Sequence, residues 1–452
     1  MGYNFVPCDR NQDLLLAPSL EDWLPAGHLA RFLIDVVGQM NVSAFYRRHR
    51  SDGWGRAAYE PAMMVTLLFY ACCTGSRSSR SIERRCAEDI ACRYITAGRC
   101  PDHATISRFR ADHEQDLKAL FKEGLRLCVE AGLVKVGVVA LDGTKVAANA
   151  AGSANRTAEA IEAEVEKMFT ELAETDAVQD SLFGEDKRGD ELPEDLSNPK
   201  TRLGRLRAAK KSLDDRERAR RADYQAKQDR VDAAVAQTGR RPRGRPPKPP
   251  EQRATQPSKV ANVTDPDSQI MKRAQGFIQG YNAQAVVTEN QIVVAVDVTQ
   301  DADDHAQLQP MVVQTQENLL AVGIAAKVGV LLADAGYCSE DNLLSGGPEL
   351  LIATTKDAKQ RRAAREAKPP RGRIPKGLTP RQLMERKLAT RRGRVLYRKR
   401  SCTIEPVFGQ HRERGFDHFS RRGLEACQAE WAFENTCHNL LKLFRSGKAT
   451  RR

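Results

Sequence analysis

Three carboxylates stand where the patterning of the chain would let them act together. Asp142 follows the apolar, β-branched run VGVVAL, and Asp334 follows a second run of the same kind, VGVLLA. Glu405 opens a helix after a basic stretch, RVLYRKRSCTIEPVFG, whose first part reads as a strand. If the two apolar strands are neighbours in one sheet, Asp142 and Asp334 emerge at nearly the same edge. A glutamate on a packed helix then reaches the same point. Converging carboxylates repel one another and need cations to stay ionised together. Two Mg2+ ions about 3.5–4 Å apart suit phosphodiester chemistry, one activating the attacking water or hydroxyl and the other stabilising the leaving oxygen. Mg2+ takes oxygen ligands and keeps some waters, so three carboxylates and a substrate phosphate suffice. Mn2+ is expected to substitute.

Each acid also has a plainer reading. Asp142-Gly143 fits a hairpin turn between two strands, or a strand that continues with Asp142 near its end. Glu405 fits an acidic residue favoured by the dipole at a helix start. Asp265, Asp267, Asp297, Asp301, Asp303 and Asp304 compete for the same role, with Asp301–Asp304 read as caps of the next helix.

The elements that must carry these residues alternate in type. Residues 1–130 read as helical: Leu29, Phe32, Leu33, Val36 and Val37 keep helical spacing, Pro61 opens an apolar helix, and Arg77–Cys92 forms a polar-faced one. After Gly98 and Pro101, Asp102 caps a short helix, ATISRFRADH, with Thr105, Ser107, Arg108 and Arg110 on its polar positions. Helix, short turn and second helix make a helix-turn-helix shape, whose base-reading residues would lie near the second helix's start. An ordinary helical hairpin explains the same pattern. Residues 131–154 return to strand, 155–260 hold one or two long charged helices and a Pro/Arg-rich linker, and 261–354 give paired strands (GYNAQAVVT and IVVAVDVT), a helix over 303–321, and strands ending near Ala333 and Thr354. A basic insertion, 355–398, precedes the helical end, 399–452. This order is that of a ribonuclease-H-like α/β catalytic domain with helical and basic insertions, preceded by an all-α helix-turn-helix-type domain.

Charge points to a polyanion. The 452 residues carry a formal net charge of +13. Residues 358–400 hold 17 Lys/Arg against 2 Asp/Glu, and 201–250 hold 16 against 6, while 151–200 hold 5 against 14. Within the linker, Arg243-Gly244-Arg245 between prolines fits an extended arm in a narrow A·T minor groove, or a flexible linker touching phosphates only. PPRGRIPK (369–376) is a looser copy. The 11 cysteines form no framework and suit a reducing cytoplasm; Cys86, Cys92 and Cys100 near His103 read as buried free thiols or, alternatively, a zinc site. The apolar run Met63–Cys73 is too short for a bilayer, which needs about 20 residues, and the N-terminus lacks a signal peptide's features.

At these motifs the chain resembles bacterial insertion-sequence transposases with a DDE domain. The resemblance rests on VALDGTKVAANA, LLADAGYCSEDN and YRKRSCTIEPVFGQHRER around the three acids, on NVTDPDSQIMK with GFIQGYNAQAVV, and on YEPAMMVTLLFYACCTG with PDHATISRFR. It covers most of residues 10–445 and is loosest over 155–260. It implies that Asp142, Asp334 and Glu405 bind the catalytic Mg2+ ions. It further implies that Tyr397, Arg400 and Arg412 stand for the family's Tyr, Arg and Lys around the last acid. Here the Arg400–Glu405 interval is one residue longer than usual, and Arg412 replaces Lys. Both arginines would hold terminal phosphates of DNA. The implied activity is transposition in the bacterial cytoplasm, at the nucleoid when DNA is bound. The enzyme would bind the element's inverted repeats, cleave to a 3′-hydroxyl, and transfer that end to target DNA within a homodimeric or larger synapse. A nuclease or resolvase on the same fold, or an inactive DNA-binding relic, are the alternatives.

Overall fold

The computed structural model describes residues 19–47, 57–168, 170, 202–241, 246, 247, 249, 259–273 and 276–448. The chain divides into two compact units, Met1–Asp116 with Leu440–Arg452, and Leu117–Asn439.

The first unit is helical: α1 (Leu29–Gln39), α2 (Pro61–Cys73), α3 (Ser79–Glu88), α4 (Ile90–Ile95) and α5 (His103–Asp112). Helix α2 is apolar on every side and almost wholly buried, as an all-round apolar helix must be. Its start is set by Pro61 in the first turn and by Glu60, which accepts from the Met63 N–H at 2.5 Å. The single helix expected over Arg77–Cys92 is two. Asp89 ends α3 and caps α4, accepting from the Ala91 and Cys92 amides while also binding Arg85. Ala97 and Gly98 adopt positive φ and turn the chain toward α5, where Asp102 accepts from the Thr105 amide as the sequence suggests.

The second unit is mixed α/β. It opens with α6 (Glu114–Glu130), which begins just before the boundary, and β1 (Val138–Ala147). There is no hairpin at Asp142-Gly143: β1 runs straight through, with Asp142 at its middle rather than near its end. A short pair, β2 (Asn155–Thr157) and β3 (Val260–Asn262), closes the base of the charged insertion. There residues 158–168 pack against α7 (Arg202–Thr238), burying Ile161, Leu206, Ala209 and Leu213. The ion pairs Glu164–Arg202 and Glu162–Lys210 run in opposite chain order, as antiparallel helices require. Only the first third of α7 is buried.

The main sheet adds β4 (Gln269–Arg273), β5 (Gly276–Thr288), β6 (Val293–Thr299), β7 (Val330–Ala333) and β8 (Glu349–Ile352), in the order β4-β5-β1-β7-β8, with β6 also on β5. β1 pairs antiparallel with β5 and parallel with β7. The helix expected over 303–321 starts later. A 3-10 turn, His305–Gln307, leads into α8 (Leu308–Ala321), and neither start carries a side-chain cap, so the run Asp301–Asp304 does not serve as one. After α9 (Glu340–Leu344) come three helices in the basic stretch: α10 (Ala358–Glu366), α11 (Pro380–Ala389) and α12 (Arg391–Thr403). The strand expected before Glu405 is thus a helix. Thr390 caps it by accepting from the Gly393 amide, and Leu396 and Tyr397 pack on the sheet's core. Helices α13 (Glu405–Glu413) and α14 (Leu424–Arg445) complete the chain. Phe408 and Trp431 lie on one face of the sheet with Ala140, Ala283 and Ala285, and the Trp431 indole donates to the Gln284 carbonyl at 2.9 Å.

Candidate active site

Strand β1 changes character at its fifth residue. Val138–Leu141 are buried, and Asp142–Lys145 are partly open. Successive side chains point to opposite faces, so Asp142 and Thr144 share the face of the aromatic core, while Gly143 and Lys145 share the other. Leu141 is in parallel register with Ala333. Asp142, within β1, and Asp334, just past the end of β7, therefore stand side by side on neighbouring strands, at a strand spacing of about 4.8 Å.

The chain before and at α13 brings in the third acid. Arg400, near the end of α12, donates to Asp142 Oδ2 at 2.8 Å and to Glu405 Oε1 at 3.1 Å. One guanidinium thus spans the two carboxylates. Tyr397, one turn earlier, donates to the Ala333 carbonyl at 3.2 Å, next to Asp334. Arg412, two turns beyond Glu405, donates to Thr144 Oγ1 at 3.4 Å. The other oxygen of Asp142 accepts from the Gly143 amide at 2.9 Å, and Asp334 Oδ1 accepts from the Gly336 amide at 2.7 Å.

A fourth carboxylate, Asp304, belongs to the same neighbourhood from the opposite face. Its Oδ1 accepts from Asn282 (2.7 Å), Gln284 (3.0 Å) and Lys145 (3.3 Å). A Cβ on Gly336 would come within 2.8 Å of Asp334 Oδ1 and 2.9 Å of Asp304 Oδ2, so the two acids flank this glycine. Tyr337, fully buried, donates to Gln284 Oε1. Burial first, then the charges of Asp304, Asp142 and Asp334, hold its phenol well above the usual range, so it is a neutral donor amid three acids. Reading the run DADDH as helix caps hid Asp304. The signal that could have found it lies in β5: Asn282 and Gln284, two apart on one face of a buried strand, each need a buried partner.

Electrostatically the site is short of positive charge. Burial raises the Asp142 carboxyl to about 6; Arg400 opposes the rise and Asp334 adds to it. Burial lowers the Lys145 ammonium, against the pull of Asp304. The donor set, carboxylate oxygens only, is chemically what a hard divalent cation takes. Among the described residues, no group of three or more His, Cys, Asp or Glu side chains stands ready to hold an ion, and Arg400 supplies the charge between Asp142 and Glu405.

The other residues singled out in the sequence lie elsewhere. On α5, Ser107 and Arg108 are exposed. Thr105 donates to Asp102 at 2.9 Å, and Arg110 donates to the Arg77 carbonyl at 2.6 Å, so both are engaged within the helical unit. Cys86 and Cys92 are buried and Cys100 is exposed, its thiol on the Glu83 carbonyl, while His103 pairs with Glu83. Arg243 and Arg245 lie outside the described residues.

Two families match the chain. A family described as a transposase domain (DUF772) covers residues 18–112, and the transposase DDE domain covers 256–440. No curated protein and no solved structure matches. The chain is a transposase, an enzyme that acts on DNA. More narrowly, the two domains together mark it as an insertion-sequence transposase of the DDE type. Among the described residues no helix is long and apolar enough to cross a membrane.

Proposed function

We propose that this enzyme binds the terminal inverted repeats of its element and cuts and joins DNA at Asp142, Asp334 and Glu405 with two Mg2+ ions, on a ribonuclease-H-like domain. The observation that carries this reading is the side-by-side placement of Asp142 and Asp334 on paired strands, with Arg400 tying Asp142 to Glu405. The three carboxylates are the hard oxygen donors. When bound, the ions supply Lewis-acid activation of the attacking oxygen and charge stabilisation of the leaving one. Arg400 keeps the acids together until substrate arrives, then offers its planar donors to a phosphate. Tyr397 fixes the end of β7, and so the backbone that aims Asp334. Asp304, with Asn282, Gln284 and Tyr337, braces the opposite face of β1. In the helical unit, Ser107 and Arg108 of α5 are the exposed contacts for DNA, and Arg243 and Arg245 add minor-groove or phosphate contacts. Two protomers act in one synapse.

The test is cleavage of duplexes carrying the element's ends, in Mg2+, by the wild type and by Asp142→Ala, followed by a search for joined products with a second DNA. Loss of cleavage in the variant and joining by the wild type support the assignment. Equal cleavage by both sinks it, and cleavage without joining leaves a metal-dependent nuclease.

A further inference from the structure

Beyond Asp142, β1 runs into a cleft of about 500 Å3. Its walls are Thr144 of β1, Lys272 and Arg273 of β4, and Arg412 of α13, over a floor that includes Phe408 and Trp431. Lys272 ends the NVTDPDSQIMK motif and Arg273 follows it directly; neither takes part in the acid site. We infer that this cleft seats a backbone phosphate of the DNA strand next to the one being cut, held by Arg273, Lys272 and Arg412. The inference rests on the reading that Asp142 and its partners act on a phosphodiester.

Thr144 lies two residues from Asp142 on the same strand face, about 6.6 Å along an extended chain. That interval is comparable with the distance between successive phosphates of a stretched strand. Arg412 already donates to Thr144 Oγ1 at 3.4 Å, so its guanidinium sits over this step. Arg273 is half-buried and anchored by donation to the Lys145 carbonyl, which orders the fork and leaves further donors for a ligand. Burial, then the charge of Arg412, lowers the Arg273 guanidinium, so the two cations face each other without full compensation. One acid, Asp417, lines the cleft against three cations. Lys145 adds no charge to the cleft, since its ammonium turns to Asp304 on the other face. His411 adds none either: burial first lowers its imidazole, and it binds Glu434 and Asn435. Crowded cations in a half-buried cleft are favourable when an anion joins them, and a planar fork suits phosphate oxygens in particular. The apolar floor suits the sugar beside that phosphate.

The experiment compares full-length wild type, Lys272→Ala/Arg273→Ala, Arg273→Lys, and a charge-matched control, Lys135→Ala/Lys327→Ala, at exposed positions beyond the opposite ends of β1 and β7. Each is titrated with a short fluorescein-labelled duplex in Ca2+ at several salt concentrations. The β4 double variant is expected to bind roughly tenfold more weakly at low salt and to lose about one to two units of the log K against log salt slope. The control and Arg273→Lys should keep the wild-type slope to within about half a unit. A β4 variant that melts like wild type and keeps its affinity and slope overturns the inference, as does a control that loses as much. Nicking by Asp142→Ala separates the two claims. If that variant still nicks while the β4 slope falls, the cleft stands and the acid assignment fails; the reverse pattern removes only the cleft.

Discussion

At Asp142, burial and a neighbouring acid act against Arg400, and the balance leaves the carboxyl at about 6, above its ordinary 3.8. A raised acid favours folding in its protonated form. That contribution is complete below about pH 4 and is lost as pH rises through about 6. Asp142→Asn mimics the protonated state and keeps an acceptor for Arg400. The variant should therefore be more stable than wild type at about pH 8, by up to about 3 kcal/mol, and should match it near pH 4. Thermal melts in chelator across that range check this, and a variant less stable at every pH refutes it. Gly143 carries a second residue-scale prediction. A Cβ there would lie 2.4 Å from Gln284 Nε2 and 2.8 Å from both Asn282 Oδ1 and Asp304 Oδ1. Gly143→Ala should cost about 1–3 kcal/mol by overpacking, measured by urea unfolding. At this scale the sequence was readable where one residue type ended one apolar run, as at Asp142 and Asp334. It was not readable for Asp304, whose partners Asn282 and Gln284 lie about twenty residues away on another strand.

The elements show why the basic stretch before Glu405 misled. RVLYRKRS carries Val and Tyr, residue types that suit a strand. Yet Thr390 caps it, Arg, Leu and Lys favour helix, and one face packs Leu396 and Tyr397 on the core, so tertiary packing decides. The helical form matters to the site, because it places Tyr397 and Arg400 one turn apart, on the end of β7 and the middle of β1. Tyr397→Phe removes only the bond to Ala333. It should cost about 1 kcal/mol of stability, while loosening the backbone before Asp334 enough to lower Mg2+-dependent cleavage more than DNA binding. Comparing both rates and affinities checks this; a matching loss in affinity would contradict it. The paired strands β5 and β6, with their turn at Glu289-Asn290, were legible because alternation and turn residues agreed. The TDPDS motif gave no such clue. Asp265 and Asp267 accept from the Gly423 and Leu424 amides and so cap α14 from across the unit. Asp267→Ala should cost about 1 kcal/mol, as lost helix caps do, read by thermal or urea melts.

For the whole molecule, any ligand that binds only the folded state stabilises it by mass action, about 2.7 kcal/mol at one hundred times its dissociation constant. Mn2+ should therefore raise the melting temperature of wild type near neutral pH. The shift should vanish in Asp142→Ala and should shrink as acid titrates Asp142. A shift that survives the substitution would place the ion elsewhere.

The central strand also sets a clock. β1 lies between β5 and β7, and its acid is bound by Arg400, 258 residues later. At roughly 5–20 residues per second of translation, β1 waits on the order of ten seconds to a minute on the ribosome before that partner is made. An apolar strand held that long in an incomplete sheet is exposed to misfolding, so chaperone supply and the pace of synthesis should govern how much working enzyme a cell obtains from each transcript.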